Sequence, residues 1–143
     1  YIPDVNLQQA LVLAAMSGKK VKLLVPAKGD SFFVSMASKA FYDELLIAGV
    51  EIYEYTKGFV HAKTFVIDRK VASVGTANLD ARSFDLNFEV TTLIYDETIA
   101  QNMAAQFDID IADATVVHYK VWKKRNVWTK FFEKIVRLLS PLL

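Results

Sequence analysis

Between residues 4 and 55 the hydrophobic period alternates between that of a helix and that of a strand, and this restricts the fold more than anything else in the chain. Asp4 is a good helix N-cap, and Leu7, Leu11, Ala14 and Ala15 form a helical stripe that ends near Gly18. Residues 21–25 read as a short buried strand, stopped by Pro26. Ser31 is placed to cap a second helix running to about Ala48, with Gly49 just past its end. Its stripe takes in Phe33 or Val34, then Ala37, Phe41, Leu45 and Leu46. Residues 50–55 form the next strand. Elements in this order bury their apolar faces as layers, so the expectation is an α/β domain with a mixed β-sheet flanked by helices.

After a break at Lys57-Gly58, residues 62–67 and 71–75 read as strands joined by the polar turn Asp68-Arg69-Lys70. His61 and Lys63 stand two residues apart, and strand alternation would point both to one face. Gly75-Thr76-Ala77-Asn78 follows at the end of the next strand and brings a hydroxyl and an amide. Residues 78–85 read as a loop or short irregular helix, and 87–95 as a long strand with Glu89 near its start. Asp96 starts a helix that continues through Ala105 toward Ile111. The residues at the hairpin suit phosphate ester chemistry without a metal. An imidazole can serve as nucleophile or proton carrier. Lys63 and Asn78 can donate to the charge that gathers on transition-state oxygens.

The pattern H-x-K-x4-D-x6-G-[ST]-x-N resembles the signature of the phospholipase D superfamily, with Thr76 where Ser is usual. Its flanks resemble the C-terminal half of bacterial cardiolipin synthases: Tyr1-Ile2-Pro3-Asp4, Leu24-Val25-Pro26-Ala27-Lys28, the segments 48–55 and 58–63, Asn78-Leu79-Asp80-Ala81-Arg82-Ser83-Phe84, and Leu86-Asn87-Phe88-Glu89-Val90. The resemblance implies a phospholipase D-like layered domain over residues 1–116, continued by a basic amphipathic segment, 117–143. In that family two motif copies face each other across a pseudo-twofold axis and build one site. This chain carries one copy, so the expectation is the second half of a longer enzyme. Membrane segments would lie upstream and place the full-length protein at the bacterial cytoplasmic membrane.

The resemblance also implies the roles. One His attacks phosphorus to form a phosphohistidine, and the other protonates the leaving alcohol and activates the incoming one. Likeness to the second half favours the acid/base role for His61, although the residues themselves leave both roles open. Lys63, Thr76 and Asn78 would hold the phosphate, with Thr76 equally able to shape only the turn. Gly75 lets the backbone pass close to the site. Asp68 belongs to the catalytic set by its motif position, yet its place at a turn favours bonding to nearby backbone or to an Arg or Lys. Glu89 is the expected carboxylate partner of the catalytic imidazole. Arg82 either meets a lipid headgroup or pairs with Asp80 or Asp85. Tyr55 and Phe59 flank His61 and either meet acyl chains or pack locally.

With two His and no Cys, a zinc site is not expected, and no disulfide can form. His118 matches no motif and reads as surface or structural. The implied reaction transfers a phosphatidyl group between two phosphatidylglycerol molecules and needs no cofactor. The expected partners are anionic phospholipid, a membrane surface, and the N-terminal half of the same enzyme or a second copy. A homodimeric phosphodiesterase or nuclease is the rival reading. Charge counts against it, because residues 1–116 hold 10 Lys and Arg against 15 Asp and Glu and make a poor nucleic-acid ligand. Residues 117–143 hold 7 against 1, which suits an anionic surface. There Trp128, Phe131, Phe132, Ile135, Leu138, Leu139 and Leu142 recur at helical spacing, with Lys130, Glu133, Lys134 and Arg137 on the other side. Such a helix either lies in a membrane interface or docks on the missing half. A membrane-binding module without activity of its own is a third reading, compatible with the first.

Overall fold

The computed structural model describes residues 1–29 and 31–138. Helix α1 (Val5–Met16) starts where expected, with the Asp4 carboxylate accepting the Leu7 N–H at 2.9 Å. Its most buried residue is polar. The Gln8 amide accepts from the Tyr1 hydroxyl at 2.7 Å and donates to the Phe41 carbonyl and to Glu44, at 3.2 and 3.0 Å. Strand β1 (Lys22–Pro26) follows. The single helix expected over 31–48 is two, α2 (Phe32–Lys39) and α3 (Tyr42–Ala48). At the break Phe41 is buried and gives its carbonyl to Gln8, with N–H groups 40 and 41 closing tighter turns to Ala37 and Ser38. Gly49 ends α3 in the left-handed region, φ 97°, as its sequence position suggests.

Strand β2 (Glu51–Tyr55) pairs in parallel with β1. Strands β3 (Thr64–Ile67) and β4 (Val71–Gly75) form the expected antiparallel hairpin. The short helix α4 (Ala81–Asp85) is capped by Asp80. The long strand expected over 87–95 is shorter: β5 (Thr91–Ile94), antiparallel to β4. The ladder stops at Gly75–Thr91 because the next N–H, that of Val90, donates to the Thr76 hydroxyl at 3.0 Å instead of to a backbone carbonyl. Helix α5 (Glu97–Ala112) is capped by Asp96, and β6 (Ala114–Val116), not foreseen, pairs antiparallel with β2. Three residues are too few to show a period; only the partner strand defines them.

The result is two three-stranded sheets, β1-β2-β6 and β3-β4-β5. Helix α5 packs against both. Its Asp108 takes Lys22 of the first sheet at 2.9 Å and Arg69 of the second at 3.3 Å. The main core joins β1 and β2 to α3, with Tyr42 stacked at 5.2 Å on Trp122. Trp122 ends α6 (Tyr119–Trp122), so the basic segment contributes to the core. Helix α7 (Val127–Leu138) then packs on α2. It does so against expectation for an amphipathic helix. The side facing the domain holds Val136, a buried Glu133 in a two-pronged ion pair with Arg125 (2.6 and 3.0 Å), and Arg137 over the Phe41 ring. Trp128, Phe131, Phe132, Ile135 and Leu138 point outward. Leu139 and Leu142, which continued that stripe in the sequence, lie outside the described residues.

Candidate active site

Three segments meet at one end of the β3-β4-β5 sheet. Residues 61–63 lead into β3, 75–78 lead out of β4, and 87–91 lead into β5. The antiparallel register makes this meeting unavoidable, because β4 runs toward the end from which both its neighbours depart. The Gly75 N–H donates to the Lys63 carbonyl at 3.0 Å, and the Thr76 N–H to the Val90 carbonyl at 2.9 Å. A methyl on Gly75 would stand 2.6 Å from the Val90 carbonyl oxygen and 2.9 Å from the Thr91 Cα. Only glycine allows the motif turn and the 89–91 segment to lie this close.

His61 and Lys63 precede β3 instead of lying on it, so strand alternation does not orient them. Backbone pairing reaches Lys63 and stops there. The exposed His61 ring stacks on Phe59, with centroids 5.6 Å apart, and Lys63 folds its ammonium back to the His61 carbonyl at 3.1 Å. Phe59 is therefore a ring support for His61. Tyr55 closes β2 opposite Ala114.

Thr76 is a junction. Its hydroxyl accepts the Val90 N–H and donates to the Glu89 carboxylate. The other Glu89 oxygen accepts from the Asn87 amide at 3.2 Å. Glu89, expected as the carboxylate partner of a catalytic imidazole, here bonds Thr76 and Asn87. The carboxylate shapes the turn that carries the phosphate-binding candidates. Asn78 is exposed, and its backbone N–H donates to the buried Ser83 hydroxyl at 3.1 Å, while the Ser83 N–H donates to Asp80. The same loop is pinned from the N-terminal side by Ile2, which accepts from the Ala81 N–H and donates to the Leu79 carbonyl, both at 3.1 Å. Arg82 is exposed on α4 beside this loop. Asn87 and Ser83 were not singled out in the sequence. For Asn87 the i, i+2 spacing to Glu89 is the signal that finds it.

Asp68 is not with the others. It sits at the far end of the hairpin, five residues along the strand from Lys63, or ~16 Å at strand rise. Asp68 and Arg69 both hold positive φ, 52° and 56°, as a tight hairpin turn requires. The turn is closed by the Lys70 N–H to the Ile67 carbonyl at 3.0 Å, and the residue that finds an ionic partner there is Arg69. Asp68 therefore stands as a turn residue, tolerant of left-handed backbone, and the bond expected of its side chain is made by the backbone instead. His118 lies exposed at the start of α6, away from any catalytic group described above.

The crystal structure of a phospholipase D family member, Nuc from Salmonella typhimurium, matches this chain with a TM-score of 0.70 at 16% identity, covering 82% of this chain and 76% of that one. Together with the arrangement at the sheet end, this defines a phospholipase D-like domain. The family model described as "Cardiolipin synthase, PLD-like domain" matches residues 1–111. The chain belongs to that family. The cardiolipin synthase of Oceanobacillus iheyensis is 43% identical over 143 residues, and the major cardiolipin synthase ClsA of Bacillus subtilis is 45% identical. Each comparison takes in 100% of this chain and 30% of the relative, so the chain spans about 30% of the length of the curated relatives it matches.

Proposed function

We propose that this chain is one catalytic half of an enzyme that transfers a phosphatidyl group from one phosphatidylglycerol to another, giving cardiolipin and glycerol. The observation that carries the reading is the convergence of His61, Lys63, Thr76 and Asn78 at one open sheet end in a chain matched by the cardiolipin synthase family over residues 1–111. One imidazole cannot fill both roles of a double displacement at once. A second motif-bearing half, or a second copy, would supply the other.

In the first step a histidine nitrogen attacks phosphorus. The N–P bond forms and the P–O bond to glycerol breaks, with the second histidine protonating the leaving oxygen. In the second step that histidine takes the proton from a hydroxyl of another phosphatidylglycerol. The new P–O bond forms and the N–P bond breaks. We assign His61 the proton-carrying role. Lys63 supplies a point charge and Asn78 a neutral donor to the phosphoryl oxygens. Thr76 and Glu89 hold the turn from which Asn78 projects, and Arg82 is the headgroup candidate. The implied setting is the cytoplasmic membrane.

The test is mass spectrometry of lipids after the full-length enzyme meets phosphatidylglycerol vesicles. Cardiolipin and glycerol should form, and His61→Ala should slow this by about 10²–10⁴-fold. Release of phosphatidic acid alone would refute the transferase and leave a hydrolase. Unchanged product from His61→Ala would remove His61 from the chemistry.

A further inference from the structure

Helix α7 is packed inside out. Its i, i+3, i+4, i+7 stripe is Trp128, Phe131, Phe132, Ile135 and Leu138, and every member is exposed, from 40% for Ile135 to 80% for Leu138. A water-facing helix normally hides that stripe. Here the domain side is occupied by the Arg125–Glu133 pair, Val136 and Arg137. The stripe is aromatic at its start, where the Trp128 and Phe131 rings meet edge to face at 6.3 Å, and Phe131 meets Phe132 at 6.0 Å. Helix α2, on which α7 sits, exposes a further pair, Phe32 and Phe33.

The exposed charge that segment 117–138 itself carries has one sign. Lys120, Lys123, Lys124 and Lys134 are exposed. The one acidic residue of segment 117–138, Glu133, is buried against Arg125. We propose that the exposed face of α7 is a docking surface for an anionic phospholipid bilayer, with the aromatic stripe in the acyl boundary and the lysines on the headgroups. Trp and Phe on one side, with Lys flanking them, is the composition of an interfacial helix. A second copy fits less well, because twofold pairing would set the lysine rim against itself. Among the described residues no helix is long and apolar enough to cross a membrane, and the proposed contact is with the bilayer surface.

Binding of this kind is independent of the chemistry under Proposed function and is tested separately from it. The chain has two Trp, 122 and 128, and Trp122 is 8% exposed in the core. In Trp122→Phe, with folding checked by circular dichroism, Trp128 reports alone. Its emission should shift to the blue and be quenched by brominated phosphatidylglycerol vesicles, and not by brominated phosphatidylcholine. Phe131→Ser/Phe132→Ser in the full chain should weaken sedimentation with phosphatidylglycerol vesicles about 100-fold. Lys123→Gln/Lys124→Gln should weaken it about 20-fold at low salt. Sedimentation of the wild-type chain decides the question if Trp122→Phe does not fold. Absence of quenching and of sedimentation overturns the proposal. A dimer in sedimentation velocity, dissolved by the Phe variant, would then make the occupant a second copy, and a monomer would leave the face to another part of the full-length protein. Equal binding to phosphatidylcholine overturns the anionic requirement. His61→Ala should bind as wild type does, so loss of cardiolipin synthesis and loss of membrane docking are separable results.

Discussion

Gly75 and Thr76 are where the site is most sensitive to a single atom. Alanine at 75 brings its methyl within 2.6 Å of a carbonyl oxygen and 2.9 Å of a backbone carbon, and neither belongs to a flexible side-chain end. Gly75→Ala should cost about 1–3 kcal/mol in chemical denaturation. It should also reduce turnover by the full-length enzyme, since the segment pushed away carries Glu89. Thr76→Val removes both the donor to Glu89 and the acceptor for the Val90 N–H; we expect a loss of about 1–2 kcal/mol, with Thr76→Ser close to wild type. Thermal melts of the pair separate the hydroxyl from the methyl. The motif letters stand out together in the sequence because His, Lys, Thr and Asn are side chains suited to a phosphodiester, and the β3-β4-β5 register brings them to one end. What those letters did not disclose was which groups pair with each other. A carboxylate stabilises an imidazolium, so the sequence points Glu89 toward a catalytic His. Within this chain it is bound to Thr76 and Asn87, which are nearer along the closing ladder.

At the scale of elements, the helices and strands with clear periods were legible, and the misses have local causes. The 31–48 helix divides because Gln8 claims the Phe41 carbonyl across 33 residues of chain, a partner no local window contains. Strand β6 exists only through β2. Helix α7 is amphipathic as its spacing predicts, but its inward side holds a buried ion pair. Glu133→Ala should therefore leave Arg125 half-buried without its carboxylate and cost about 3–5 kcal/mol. Adding Arg125→Met should return much of that loss in urea denaturation. Acid should act on a different contact. Lys22, by hydrogen bond and charge, holds the Asp108 carboxyl below its ordinary value, with Arg69 adding to the effect. A carboxyl depressed in the folded state stabilises above its unfolded pKa, and that contribution is lost as pH falls through the folded value. The melting temperature of Asp108→Asn should thus lie below wild type at pH 7, and the gap should narrow as pH falls below the ordinary carboxylate range.

The whole molecule offers one imidazole at the sheet end, while double displacement at phosphorus uses two groups with different duties. This makes the division of labour between halves measurable. If His61 carries the proton, its loss hurts departure of a poor leaving group far more than attack on phosphorus. Glycerol is a poor leaving group and p-nitrophenol leaves without a proton. Full-length His61→Ala given a phosphatidyl p-nitrophenyl ester should release about one p-nitrophenol per enzyme in a burst. It should then stall as a phosphatidyl-enzyme, because no base remains to activate the acceptor alcohol. Mass spectrometry of the intact protein would show the adduct on the other half. If His61 is instead the nucleophile, the same variant gives neither burst nor adduct, and the adduct appears on His61 of the wild type. Either role needs an imidazole that substrate can reach, and His61 sits before the strand, exposed and stacked on Phe59. Its neighbour Lys63 donates to the His61 backbone carbonyl and not to the ring, so the burst and the site of the adduct, read together, assign the duty of the imidazole.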